Sequence, residues 1–209
     1  MVYDFNRDSM EIMDWQRTNE RMKETLADVR LGLYRKDELA DFCLKAIIDA
    51  EPNENFPGTV FWAYDEPRNM PSDARCEFVY LPTYLMTLTL VNAILNYPML
   101  YYMLGVEEIV RKALKACTGR GLQGHGYEGR SEQHYNLKLF LKSNILEFIR
   151  RYPDTSNEFS HMLDEIMKGL EWAYENGDTT GTWGEDYKPD QEELLRLYSQ
   201  LKQGGGITT

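Results

Sequence analysis

Apolar residues recur at helical spacing along most of this chain, and one stretch departs from the pattern by having no polar face at all. Between Glu77 and Glu107 no side chain is charged. Leu81 to Tyr97 is apolar around the whole circumference of a helix, as expected of a helix surrounded on all sides, in a core or in lipid. Pro82 sits where a first-turn proline is tolerated, and Pro98 ends the hydrogen-bond ladder. The pattern predicts a helix of about four turns from Pro82 to Tyr97. Its length would span a bilayer, but Thr83, Thr87, Thr89, Asn92 and Asn96 lower its hydropathy, and its flanks lack the Lys/Arg clusters that anchor spanning segments. A central core helix is the expectation.

The remaining elements follow from period 3.6. Asp8-Ser9-Met10-Glu11 reads as a capping box, followed by a charged helix with a Met22, Leu26, Val29, Leu33 stripe. Asp37 is the expected cap of a second helix whose apolar face holds Leu39, Phe42, Cys43, Ala46 and Ile47. A proline-rich connection with aromatics occupies 51–72. After a turn at Gly105, a helix runs to Cys117, with Gly119 as its left-handed stop. A glycine-rich loop leads to Ser131, the expected cap of one continuous helix to Tyr152 with Leu137, Phe140, Leu141, Asn144, Ile145, Phe148 and Ile149 on one face. Thr155 or Ser156 caps the next, which Gly177 closes, and Asp190 opens the last. No strand alternation appears. The fold class predicted is all-α, with about seven helices in antiparallel hairpins around the buried helix. Residues 1–203 read as a single domain and 204–209 as a disordered tail.

The formal net charge of the 209 residues is −11, which argues against nucleic acid and anionic membrane surfaces as partners. No secretory signal is legible at the N-terminus, and three widely spaced cysteines, Cys43, Cys76 and Cys117, make no disulfide framework. A cytoplasmic setting fits both.

Three loops share a glycine–five residues–tyrosine frame: Gly58 to Tyr64, Gly121 to Tyr127 and Gly181 to Tyr187. Their starts lie 63 and 60 residues apart, the length of a helical hairpin with its loop. On these loops, and on Gly119-Arg-Gly-Leu-Gln-Gly-His-Gly-Tyr127 above all, the chain resembles the α/α-toroid repeats of terpenoid cyclases and protein prenyltransferases. The resemblance implies a partial toroid of helix pairs. It lends no catalytic residues, because the Asp-x-Asp-Asp motif and the zinc ligands of those families have no counterparts here.

Gly119-Arg-Gly-Leu-Gln-Gly124 matches a dinucleotide fingerprint in letters only, since a helix rather than a strand precedes it. As a loop entering a helix N-terminus between Arg120 and Arg130, it suits an anion such as phosphate. The stretch Ile109–Lys142 holds seven cations against two anions. Arginines paired with nearby acidic groups are the plainer account of the same residues. Trp62, Tyr64, Trp183 and Tyr187 with Asp65, Glu66, Glu185 and Asp186 suit a sugar-cleaving site, where rings hold the saccharide and two acids act as proton donor and base. His125, Glu128 and His134 match no metal-ligand spacing, and no metal or cofactor is expected.

Three functional readings result. The leading one is a small ligand, anionic or isoprenoid-like, in an aromatic-lined pocket at the loop end, formed by Trp62, Tyr64, Asp65, Arg120, His125, Tyr127, Arg130, Trp183, Asp186 and Tyr187. The second is a carbohydrate-active enzyme using the loop carboxylates. The third is a non-catalytic interaction protein, a homodimer, whose remaining apolar surface is closed by its partner.

Overall fold

The computed structural model describes residues 5–54, 56–62, 80–122, 129–177 and 188–203. Eight helices carry this part of the chain: α1 (Phe5–Arg30), α2 (Lys36–Asp49), α3 (Tyr80–Asn96), α4 (Val106–Ala116), α5 (Gly129–Leu141), α6 (Ile145–Arg151), α7 (Pro153–Glu175) and α8 (Lys188–Gln203). A 3₁₀ turn (Pro98–Tyr102) and a π turn (Cys117–Gly121) join some of them. The all-α class is as the periodicity predicts. The one addition is a two-residue ladder, β1 (Glu51–Pro52) against β2 (Val60–Phe61), antiparallel and too short to show alternation in sequence.

Residues Met1–Ala113 form one compact unit and Leu114–Thr209 a second. In the first, α3 lies within two residues of its predicted bounds and packs chiefly on α1. From Pro82 to Ile94 only Met86 is not fully buried. Three of the five polar side chains that lowered its hydropathy bond within the helix. Thr87 Oγ1 donates to the Thr83 carbonyl (2.6 Å), Thr89 Oγ1 to Leu85 (2.7 Å) and Asn92 Nδ2 to Leu88 (2.7 Å). Short polar side chains bonding back one turn let a helix carry such groups into an apolar interior. Among the described residues no helix is long and apolar enough to cross a membrane.

The boundaries of α1 differ from expectation at both ends. It begins at Phe5, which places Asp8 inside the helix instead of at its cap. It stops at Arg30, because Gly32 (φ +70°) turns left-handed. The Gly32 N–H bonds the Val29 carbonyl and the Leu33 N–H that of Asp28, the paired bonds of a Schellman stop. Leu33 is thereby expelled from the apolar stripe and exposed. Asp37 likewise falls within the first turn of α2, and it is Glu38 whose carboxylate accepts the Arg35 N–H at 2.8 Å.

In the second unit, α8 packs on α5 and α7, and α6 packs on α7. The helix expected to run unbroken to Tyr152 is two. Asn144 takes a left-handed conformation (φ 62°), and Ser143 Oγ donates to the Phe140 carbonyl at 2.8 Å, so the ladder breaks between α5 and α6. Asparagine tolerates that region better than other non-glycine residues. Gly119 is not a left-handed stop: its φ is −78°, and the chain passes through the π turn instead. Gly177 (φ +60°) does end α7 as expected. The helices predicted to start at Ser131, at Thr155 or Ser156, and at Asp190 begin two or three residues earlier, at Gly129, Pro153 and Lys188. The core of this unit gathers Phe140, Phe148, Phe159, Leu163, Leu170 and Leu194.

Candidate functional site

Of the residues proposed to line a loop-end pocket, Tyr64, Asp65, His125, Tyr127, Trp183, Asp186 and Tyr187 lie outside the described residues, as do Glu66 and Glu185. The backbones of Arg120 and Arg130 are described, in the π turn and the first turn of α5, but not their side chains. Trp62 is fully described, and it is inside the core. Its indole N–H donates to the Ala46 carbonyl at 2.9 Å and its backbone N–H to Thr83 Oγ1 at 3.2 Å. One residue thus ties the end of α2 to the start of α3.

The cations of Ile109–Lys142 whose side chains are described all have acidic partners. Arg111 pairs with Glu107 (2.6 Å), Lys112 with Glu108 (2.7 Å) and Lys115 with Glu158 (3.9 Å). Lys138 bridges Asp190 and Glu193, and Lys142 reaches Glu193 at 3.2 Å. The surplus of basic residues counted along the sequence is therefore largely neutralised by acids from α4, α7 and α8, the pairing account of these residues.

The Lys138–Asp190 contact encloses His134, which is buried on α5 with Nδ1 3.5 Å from Asp190 Oδ2. Burial lowers the imidazole pKa below its ordinary value, Asp190 opposes that and Lys138 adds to it. The unfolded chain protonates this histidine near pH 6.5, while the folded chain resists. Stability is thus fully present above that pH and falls as pH drops through it. In His134→Gln the decline between pH 7 and 5 should flatten in a urea titration repeated across pH. The losses from Asp164 and Glu193, whose carboxyls are held below their ordinary 3.8 and 4.5, should remain at lower pH. An unchanged decline in the variant would refute this role. Asp164 is held by α8, where the Tyr198 hydroxyl and Lys202 Nζ (3.0 Å) both donate to it. Burial, with the bond to Asp164, pushes the Tyr198 phenol up to about 12. Both described polar clusters fasten α8.

Cys43 and Cys117 are buried, and burial pushes the Cys43 thiol up to about 11, away from reactivity. Among the described residues no group of three or more His, Cys, Asp or Glu is placed to hold a metal.

A different surface is assembled in the first unit. Past α3 the chain reads Pro98-Met-Leu-Tyr-Tyr-Met-Leu104, and only Leu100 of these is buried. Met99, Tyr102 and Leu104 are 63, 75 and 95 % exposed. The segment is held in place by successive bonds from the N–H groups of Leu100, Met103 and Val106 to the carbonyls of Tyr97, Leu100 and Met103. Two ties set it along α2. At one end, the Tyr97 hydroxyl donates to the Tyr34 carbonyl (3.3 Å) and Asn96 Nδ2 to Val29 (2.5 Å), beside the exposed Leu31 and Leu33. At the other, Gly105 (φ +84°) approaches α2 so closely that a Cβ there would lie 3.5 Å from Ile47 Cδ1. Next to Ile47 stand Leu44 and Ile48, the latter 80 % exposed. Gly105 thus holds one end of the turn against the part of α2 that carries Leu44 and Ile48, an apolar strip of helix and turn. Tyr101, Tyr102, Met103, Glu107 and Arg111 line an open cleft of about 320 Å³. No family model matches this chain, and no curated protein or solved structure matches it.

Proposed function

We propose that this chain is a helical interaction module that binds another polypeptide through the apolar strip between α2 and the 98–105 turn. The observation that carries the reading is the exposure of Met99, Tyr102 and Leu104 on the turn and of Leu44 and Ile48, one helical turn apart on α2. Monomeric proteins seldom bare contiguous apolar patches beyond a few hundred Å², and larger ones mark contact surfaces. The strip is carried on helix and hydrogen-bonded turn, so little ordering cost opposes docking. The helix-pair architecture suggested by the toroid resemblance suits such a module, with α3 as the buried support of the surface.

A photoreactive benzophenone amino acid in place of Leu104 tests it in the cell that makes the protein. A covalent adduct of defined mass with a polypeptide is expected. None is expected from the same probe at Trp172, exposed on α7 of the second unit. Equal labelling at both sites, or none at Leu104, would refute the reading.

A further inference from the structure

We infer that the polypeptide bound at this surface is a basic one that lays an arginine side chain in the cleft beside the 98–105 turn; the inference rests on the interaction reading above and names the partner's chemistry. The cleft is lined by Tyr101, Tyr102, Met103, Glu107, Glu108 and Arg111, all from the turn or from α4. Its aromatic side is Tyr101 and Tyr102, whose rings meet edge to face at 5.3 Å and 90°. Tyr102 is 75 % exposed, so much of its ring is open to an incoming group. A tyrosine face attracts a cation, and a planar guanidinium stacks on it as well.

The polar side of the cleft holds two carboxylates and one guanidinium. Arg111 Nη2 meets Glu107 Oε1 at 2.6 Å, and Glu108 Oε1 is met at 2.7 Å by Lys112, which is not among the lining residues. The bond from Lys112 holds the Glu108 carboxyl below its ordinary value, so it is charged at neutral pH. Each pair engages Oε1, and an ionised carboxylate accepts on both its oxygens. A second cation can therefore bond the same groups without displacing the first. Exposed ion pairs are weak alone, so it is the ring beside the carboxylates that gives the site its preference. A guanidinium uses both, stacking by its face and donating by its edge.

The shape and the field point to a polypeptide as the source of that group. A small ligand is mostly enclosed by its pocket, whereas an open cleft of about 320 Å³ suits a side chain reaching in from a chain laid across the turn. The site is built beforehand, by the backbone bonds of Leu100, Met103 and Val106 and by the seat of Gly105 against Ile47. The net charge of −11 draws a cationic chain in from a distance and repels an acidic one, a second copy of this protein included.

The test is fluorescence anisotropy of a dye-labelled hexa-arginine peptide titrated with the full chain in about 0.15 M salt. Saturable binding is expected, weaker with hexa-lysine and absent with hexa-glutamate. Glu108→Gln and Tyr102→Leu should each raise the dissociation constant by about 3-fold or more, while Tyr102→Phe, which keeps the ring, should not. Glu171→Gln removes the same charge from α7 in the second unit and should leave the constant unchanged. All three positions are exposed, so the core is untouched. In the cell, the segment cross-linked to the benzophenone at position 104 should carry arginine. Equal weakening by Glu108→Gln and Glu171→Gln would reduce the effect to the general field and overturn the inference, as would binding of hexa-glutamate. A specific adduct whose cross-linked segment lacks basic residues would overturn the basic partner and leave the interaction module standing. No specific adduct at position 104 would overturn both.

Discussion

Replacing Trp62 with alanine is expected to destabilise the first unit by about 3–5 kcal/mol, the usual cost of deleting a buried indole. Three connections are lost together. The ring leaves a cavity in the core, the Ala46 carbonyl at the end of α2 loses its donor, and the backbone N–H that bonds Thr83 loses the ring that anchors it. Trp62→Phe separates these effects. It keeps much of the packing but leaves the Ala46 carbonyl without its donor, which costs about 1–3 kcal/mol when such a group is buried. Urea denaturation of both variants reads the difference, and hydrogen exchange should quicken first at the end of α2 and the start of α3. A loss below about 1 kcal/mol for the alanine variant would show that Trp62 is no strut, and would make its ring available for the ligand role the sequence suggests.

Phe140→Ala in the second unit is expected to have an effect of the same size, about 3–5 kcal/mol. Phe140 is fully buried at the end of α5, and its ring sits 5.1 Å from that of Phe159 on α7 at an angle of 56°. Tilted aromatic pairs add about 0.5–1.5 kcal/mol beyond the area they bury. A double-mutant cycle with Phe159→Ala should return a coupling in that range by urea denaturation. Its disappearance would mean the two rings contribute only as separate fillers.

The parts of this fold that were legible are those where one physical rule acts alone. α3 shows because charge is absent over a long run, and no surface helix tolerates that. Gly177 shows because an apolar stripe ends beside a residue able to turn left-handed. The break at Asn144 was hidden because Phe140, Leu141, Ile145 and Phe148 keep helical spacing across it, and apolar periodicity cannot see a change of direction between two helices that share a core. The only local sign was Ser143-Asn144, two residues whose side chains compete for backbone bonds. At Gly119 the identity of the residue suggested a stop, but the alternative of a wider turn leaves no mark in composition.

The candidate surface was missed for a related reason. Apolar residues beyond Pro98 look like a turn packing onto its own core, and Leu100 does so. The signal was length: seven residues without a charged side chain, five of them large and apolar or aromatic besides Leu100, exceed what one buried anchor requires. The ligand residues proposed from the glycine–tyrosine loops fall mainly on 63–79, 123–128 and 178–187, outside the described residues, and Trp62 alone among them has a described side chain. Counting cations along the chain exaggerated the basic character of Ile109–Lys142, since the neutralising carboxylates Asp190, Glu193 and Glu158 come from distant sequence.

The way α3 carries its polar groups has a consequence for the solvent conditions under which each unit is secure. The helix itself carries no charged side chain, and Thr87, Thr89 and Asn92 are answered by its own carbonyls, so dissolved sodium chloride has nothing in those bonds to screen. The grip of α5 on α8 is made instead from Lys138, Lys142, Asp190 and Glu193, partly open to water. Brine would loosen that clasp while leaving the uncharged rod where it lies.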